Sequence, residues 1–374
     1  MVFLSIGATA KSGSKAPFIN FINNNETIQL YSTSQKNIYN SNIGLQFYLN
    51  EKMLVKVNNE QKKHLERIES ILSLQVLAND RLNEIVLVTP TQDEFLSTYE
   101  SISRLKGAFV QPDFAIVRSP QIQKRKVNNH ASSQTLQRLR NYQCNSSIKP
   151  SRIAIIDDGF NLSESAFSLF NVLLAYDADS QNIISAKTKS EATHGNMIAS
   201  VIAHQLQFKT KNKAKVDAEL VAIKQASTLN SAMILAFSIS LKMNVDIINS
   251  SWTLPFVSQL LSEVIEQGLN HGGVAYVVVS AGNHGKDACI GNKLSEVKGV
   301  TTVGALSGDG TLAPFSNFGR CVDLYAPATL SLKKKNTSFI ASGTSTAAAL
   351  VTGELSYLLS CGLSSSEIGF NNNN

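Results

Sequence analysis

Arg152-Ile153-Ala154-Ile155-Ile156-Asp157-Asp158-Gly159 is the stretch whose reading decides the fold. Its apolar run is unbroken and ends on two carboxylates and a glycine. That pattern fits a strand buried on both faces, closed by a turn. Runs of the same texture follow at Glu219–Ile223, Val245–Asn249, Val274–Ser280, Val300–Ala305 and Val322–Ala326. Helical patterns separate them, at 194–207, 229–243, 257–270 and 345–360. Apolar strands alternating with helices predict an α/β domain over 150–370, a parallel sheet covered by helices on both faces. In such sheets reactive groups collect beyond the carboxyl ends of the strands.

The chain upstream has a different texture. Residues 1–42 are rich in Ser, Asn and Lys and read as a leader or mobile lead-in, with one strand at Thr27–Tyr31. Over 43–118 the periodicity becomes regular. Strands are expected at Gly44–Leu49, Lys52–Val57, Glu84–Thr89 and Ala108–Arg118, the last interrupted by Pro112. A helix is expected at Glu60–Leu72, with Leu65, Ile68 and Leu72 on one face. Thr91-Gln92-Asp93-Glu94 reads as a capping box opening a second helix that carries Phe95, Tyr99, Ile102 and Leu105. The β-α-β-α-β order predicts a small α+β domain of ferredoxin-like kind. Residues 119–149 are polar and broken, a linker with a short helix over Gln134–Tyr142.

The 374 residues are 43% hydrophobic and 17% charged, enough apolar material for two buried cores. The net charge of +6 is scattered apart from Lys124-Arg125-Lys126 and Lys333-Lys334-Lys335, which read as solvated loops rather than a nucleic-acid surface. No apolar run approaches the roughly 20 residues of a membrane span. Met1–Ala10 is apolar and ends on Ala8-Thr9-Ala10, a small-x-small pattern like a secretory cleavage site but without a basic flank. The reading leans toward a secreted or periplasmic protein. Cys144, Cys289, Cys321 and Cys361 form no C-x-x-C pair, which argues against zinc and thioredoxin-like chemistry. Four cysteines permit disulfides without requiring them. Cys289 with Cys321 is the expected pair, both falling in loops of one half of the domain, and free thiols are the alternative.

Four polar landmarks stand at the ends of the predicted strands and the starts of helices: Asp157, His194, Asn283 and Ser345. A serine hydroxyl is a poor nucleophile at neutral pH. A histidine must take its proton and return it to the leaving group, and a buried carboxylate must fix the imidazole tautomer. The oxyanion that forms needs donors, which the Asn283 side-chain amide and the Ser345 backbone N–H supply. Taken singly, Asp157 reads as a turn residue and Ser345 as a helix cap. Together they read as a nucleophilic hydrolytic site.

Ile155-Ile156-Asp157-Asp158-Gly159, Thr193-His194-Gly195, Ala281-Gly282-Asn283 and Gly343-Thr344-Ser345-Thr346-Ala347-Ala348 resemble the signatures of the subtilisin-like serine proteases. Their order is the family's, and so are the spacings of 37, 89 and 62 residues. The resemblance implies a serine endopeptidase with Asp157, His194 and Ser345 as its triad and Asn283 in the oxyanion hole. It implies that Ser251, Trp252, Thr253, Ser280, Ala281 and Gly282 bind substrate. Phe315-Ser316-Asn317-Phe318-Gly319 resembles the family's segment before the nucleophile. Residues 43–118 resemble the family's propeptide, which implies self-cleavage in the linker, near Lys124–Asn129, and an N-terminal domain acting as intramolecular inhibitor. Calcium sites are common in the family, but no ligand cluster here is specific enough to name, and no cofactor is expected.

The chain departs from the pattern in places. Asp158 stands where Thr or Ser is common, Asn196 where Thr is usual, Thr346 for a common Met, Ala349 for a common Pro, and Thr253 for a common Gly beside the specificity pocket. None removes a reacting group, while Thr253 puts the size of the pocket in question. His64, His130, His204, His271 and His284 read as structural or surface residues. Two rival functions stay open: a non-catalytic relative that keeps the fold for binding, and a serine esterase or transferase on the same nucleophile.

Overall fold

The computed structural model describes residues 16–118, 142–144, 149–185, 194–211, 218–271, 273–334 and 337–369. The N-terminal unit is a seven-stranded antiparallel sheet made by β1 (Ile19–Asn23), β2 (Glu26–Ser32), β3 (Ile38–Ser41), β4 (Gln46–Val57), β5 (Ile71–Asn79), β6 (Glu84–Pro90) and β7 (Phe109–Arg118). Helices α1 (Asn59–Leu65) and α2 (Phe95–Ser103) join its later strands. The order is β1-β2-β3-β4-β6-β5, and β7 pairs with the other edge of β4.

Several expectations are corrected here. The sheet begins at Ile19, inside the stretch read as a lead-in. Asn24 and Asn25 both take positive φ, 49° and 66°, and form the two-residue turn that joins β1 to β2. Ile19, Phe21, Ile28 and Leu30 then alternate into the core. The two strands expected at 44–49 and 52–57 are one strand, β4, kinked where the register slips between Leu49 and Met53 and Glu51 sits at φ 59°. β7 runs through Pro112, which faces this bulge opposite Met53, where a missing N–H is tolerated. The first helix ends at Leu65, held by a capping box of Asn58 and Gln61, and Leu72 belongs to β5 and is exposed. The second helix has Glu94 as N-cap with no side-chain cap bond, because Thr91 is drawn instead to the Ser70 carbonyl.

The second unit is an eight-stranded sheet. Its strands are β8 (Ser151–Asp157), β9 (Asn171–Asp177), β10 (Asn182–Ile183), β11 (Ala218–Lys224), β12 (Ile247–Ser250), β13 (Tyr276–Ser280), β14 (Thr301–Leu306) and β15 (Leu324–Pro327), in the order β10-β9-β11-β8-β12-β13-β14-β15. All pairings are parallel except β10 with β9. β9 is only partly buried along its length, so it lacks the fully buried texture that marks β8 and β11 in the sequence. A separate hairpin, β16 (Thr329–Lys334) with β17 (Thr337–Ser342), places the backbone of Lys333 and Lys334 in a strand rather than the expected loop.

Alternation along each strand decides the layers. Ile153 and Ile155 of β8 face α3 (His194–Lys209) and α7 (Thr344–Ser360), together with Leu220, Val278 and Val303. Ala154 and Ile156 point the other way, toward α4 (Asn230–Lys242) and α5 (Gln259–Asn270), with Val221, Ile248 and Val279. That second core does not stop at the helices. Leu54, Leu77, Ile85 and Leu87 of the N-terminal sheet continue it, so α4 is covered on both sides. This explains why nearly every residue of α4 from Asn230 to Ser240 is buried. Full burial of a leucine such as Leu54 or Leu77 contributes about 1.5–3 kcal/mol. Among the described residues no helix is long and apolar enough to cross a membrane.

The two units also share polar contacts. Asp113 of β7 accepts the Ser231 N–H at 2.8 Å and the Ser231 hydroxyl at 2.6 Å, in the first turn of α4. Asn23 accepts the Gln259 N–H at 2.7 Å at the start of α5. Phe256 stacks edge-on against Phe47 and Phe114 of the N-terminal core. Cys144 is joined to Cys361 beyond α7, a pairing that the sequence reading did not make, and Cys289 is joined to Cys321 as expected.

Candidate active site

Asp157 is the last residue of β8, and His194 opens α3. Their side chains meet with Nδ1 and Oδ1 2.7 Å apart, the carboxylate buried and the imidazole 35% exposed. Asp157 Oδ1 also accepts the Asp158 N–H, while its Oδ2 has no donor among the described residues. The helix start is set by Gly195. A Cβ there would lie 2.3 Å from the Gly159 carbonyl oxygen and 3.2 Å from Asp157 Cβ, so only glycine lets the two chain segments approach this closely. Asp158 accepts the Gly195 N–H at 3.0 Å, which puts a carboxylate at the positive end of α3. Burial raises the Asp157 carboxyl against the hydrogen bond from His194. Burial alone would lower His194, but the Asp157 hydrogen bond and charge, with Asp158 behind them, hold its imidazole above the ordinary value.

Ser345 lies in the first turn of α7, whose following residues are buried almost without exception. Its hydroxyl donates to the Ser251 carbonyl at 2.9 Å, just beyond β12. Asn283 follows β13 and is exposed. Its Oδ1 accepts both the Thr344 N–H and the Thr344 hydroxyl, each at 2.9 Å. With the oxygen engaged there, the Asn283 NH2 group is the end left for a ligand. The Thr344 hydroxyl also accepts the Gly282 N–H at 3.1 Å, and so ties the loop to the helix. The Ser345 N–H belongs to the helical first turn, whose donors have no intrahelical acceptor.

The loop carrying Asn283 is held from behind by Asn317. That side chain is fully buried. It donates to the Ala281 carbonyl at 2.7 Å and accepts the His284 and Lys286 N–H groups, both at 3.1 Å. Trp252 donates to the Ile156 carbonyl at 2.9 Å, which pins the 251–254 segment to the end of β8. Ser280 ends β13, and Ala281 and Gly282 follow it inside the fold. Thr344, Asn317 and Asn292, whose buried amide donates to the Ser280 carbonyl at 2.8 Å and accepts the Leu254 N–H at 3.0 Å, were not singled out in the sequence. Asn317 lies in the quoted Phe315–Gly319 segment, but nothing local marks its side chain as a loop anchor. His284 is exposed and His271 is the C-cap of α5. Among the described residues, Glu296 with Cys289 and Cys321 is a cluster of metal-ligand type, but its sulfurs are joined in a disulfide and offer no thiolate.

A parallel sheet carrying Asp157, His194, Asn283 and Ser345 at its strand ends and helix starts defines a class, and comparison with known proteins names it. The chain belongs to the subtilase family: the family's model, Peptidase_S8, matches residues 149–366. It is 30% identical over 271 residues to subtilisin-like protease 5 of Trichophyton tonsurans, covering 68% of this chain and 64% of that protein. Subtilisin-like protease 5 of Arthroderma otae is 31% identical over 265 residues, with the same coverage. The chain thus spans 64% of the length of these curated relatives. Among solved structures, fervidolysin from Fervidobacterium pennivorans, a keratinolytic enzyme related to subtilisin, has a TM-score of 0.59 at 19% identity, over 82% of this chain and 54% of that one. At that identity the likeness bears on the fold alone.

Proposed function

We propose that this chain is a serine endopeptidase that hydrolyses peptide bonds of protein or peptide substrates through an acyl-enzyme on Ser345. The observation that carries the proposal is the 2.7 Å Asp157–His194 pair; a helix-start serine, Ser345, and an asparagine amide already oriented by Thr344 support it. For attack, the Ser345 hydroxyl leaves the Ser251 carbonyl and donates to His194. His194 takes the proton as the Oγ–carbon bond forms, and Asp157 holds the resulting imidazolium. The Asn283 NH2 group and the Ser345 N–H receive the developing oxyanion. His194 then gives its proton to the leaving amine, and water repeats the sequence to release the acid.

The N-terminal unit fits a built-in inhibitor that is cut from the catalytic unit by the enzyme itself. Its support is the shared core around Leu54 and Leu77 and the carboxylate of Asp113 at the start of α4. The expected cut near Lys124–Asn129 and all but the last residue of the expected helix over Gln134–Tyr142 lie outside the described residues. Two disulfides support an oxidising compartment for the mature protein. The test is to express the wild-type chain beside Ser345→Ala and His194→Ala. Wild type should hydrolyse peptides and be recovered cut between the two units. Both variants should be folded, inactive and uncut. Full peptide hydrolysis by either variant would refute the assignment.

A further inference from the structure

Between β13 and the short helix α6 (Ala288–Gly291) the backbone is irregular, and Asn283 stands exposed within it. Thr344 fixes where the Asn283 side-chain oxygen points. The direction of the NH2 group depends also on the backbone that carries it. Asn317 grips that backbone on both sides of Asn283. Before it, the Asn317 N–H donates to the Gly282 carbonyl at 2.8 Å, and the side-chain NH2 group to the Ala281 carbonyl. After it, the side-chain oxygen accepts the His284 and Lys286 N–H groups. Both ends of the buried amide are therefore in use.

The Asn317 amide has no room to shift. A Cβ on Gly282 would stand 2.5 Å from its nitrogen, and one on Gly291 would stand 2.4 Å from it, so two stretches of backbone close on the group. The segment that carries Asn317 is tied to the same loop. The Gly285 N–H donates to the Phe315 carbonyl at 2.8 Å, the Phe318 N–H to the Lys286 carbonyl at 2.9 Å, and the Ala288 N–H to the Phe318 carbonyl at 2.7 Å. In a close-packed interior a displaced side chain passes its strain to what it touches. Here that is the backbone on either side of Asn283.

We infer that Asn317 is a positioning residue for the oxyanion and acts on the reaction through the placement of the Asn283 amide. The inference rests on the peptidase reading above, in which Asn283 receives the oxyanion. Two substitutions disturb the hold without altering Asn283. Asn317→Asp keeps an acceptor for His284 and Lys286 and sets an oxygen against the Ala281 carbonyl. Gly291→Ala leaves every hydrogen-bonding group in place. Gly291 has no positive φ, so the new methyl meets no backbone strain, only the Asn317 amide. Each substitution is made in the wild-type chain and in Asn283→Ala. The purified chains are incubated until their activity is constant, and kcat and KM for a peptide amide are measured well below each unfolding temperature. In the wild-type background each should lower kcat by about tenfold or more with KM within about twofold, the split expected of a group that acts on the transition state. In Asn283→Ala the same substitutions should change kcat by less than about twofold, since the amide that they misplace is gone. A merely structural role would lower kcat alike in both backgrounds. Equal losses in the two backgrounds overturn the inference, and so do folded variants with wild-type kcat, while the peptidase reading stands. Where Asn317→Asp fails to fold, Gly291→Ala carries the test. If Asn283→Ala alone keeps the wild-type kcat, the oxyanion assignment falls and takes the inference with it.

Discussion

At the scale of single residues, the environment of His194 makes a pH statement. In the proposed mechanism His194 must be neutral to take the serine proton. The Asp157 and Asp158 carboxylates favour its charged form and hold it above the ordinary histidine value of about 6.5. Activity is therefore lost as pH falls through a midpoint higher than that value, and kcat/KM plotted against pH should show it. Asp158→Asn removes one of the two negative charges, so its acid limb should move to lower pH. A limb that stays in place would exclude Asp158 from tuning the base. Asn283→Ala should lower kcat by about 100–1,000-fold with little change in KM, because its amide acts on charge that exists only in the transition state. A raised KM at unchanged kcat would assign Asn283 to ordinary binding. Asp157, His194, Asn283 and Ser345 could be picked out from sequence because each lies in a short motif at or just beyond a strand end or helix start, and the four motifs follow in order. Thr344, Asn292 and Asn317 could not. Their bonds join positions 61, 38 and 36 residues apart, and only the folded loops bring those partners together.

At the scale of elements, α3 and α7 cross with an ion pair sealed between them. Lys209 and Glu354 meet at 2.8 Å with side chains only 1% and 2% exposed. Gln205 donates to the second Glu354 oxygen at 2.8 Å, and the Lys209 ammonium lies 4.9 Å from the Tyr357 ring centre. Since α3 begins with His194 and α7 with Thr344 and Ser345, this pair fixes the two helices that carry the proposed base and nucleophile. Glu354→Ala takes the carboxylate away from a buried ammonium, which also donates to the Tyr142 carbonyl, and should cost about 3–5 kcal/mol, measured by denaturant unfolding. A loss under about 1 kcal/mol would show that the pair can be dispensed with. The helix pattern in α7 was legible from its apolar content, and the pair was not, since Lys209 and Glu354 look like ordinary surface residues until the helices cross. The strands of the α/β sheet were the most legible elements, being apolar on both faces. The least legible were β1 to β3 and β9, where polar Asn-rich connections and half-solvated faces dilute the alternation.

At the scale of the whole molecule, the N-terminal sheet and the parallel sheet sandwich α4 and α5, and one core runs through both units. That continuity was invisible in the sequence, where the N-terminal unit reads as a separate domain with its own periodicity. The Cys144–Cys361 disulfide closes a loop of 217 residues, and Cys144 N–H donates to the Tyr357 hydroxyl at 3.0 Å, so the start of the catalytic unit is fastened to its last long helix. Paired replacement of Cys144 and Cys361 by serine should lower stability by about 2–5 kcal/mol, read as a fall in Tm. An unchanged Tm would show that packing of α7 alone holds this end. The proposed function turns on one hydroxyl, that of Ser345. The most direct measurement is therefore to treat the incubated chain with a fluorophosphonate and locate the adduct by mass spectrometry of its peptides. The account predicts a single adduct on Ser345, absent in His194→Ala although the serine is still there. An intact Ser345 with no adduct, or an equal yield of adduct without His194, would contradict it.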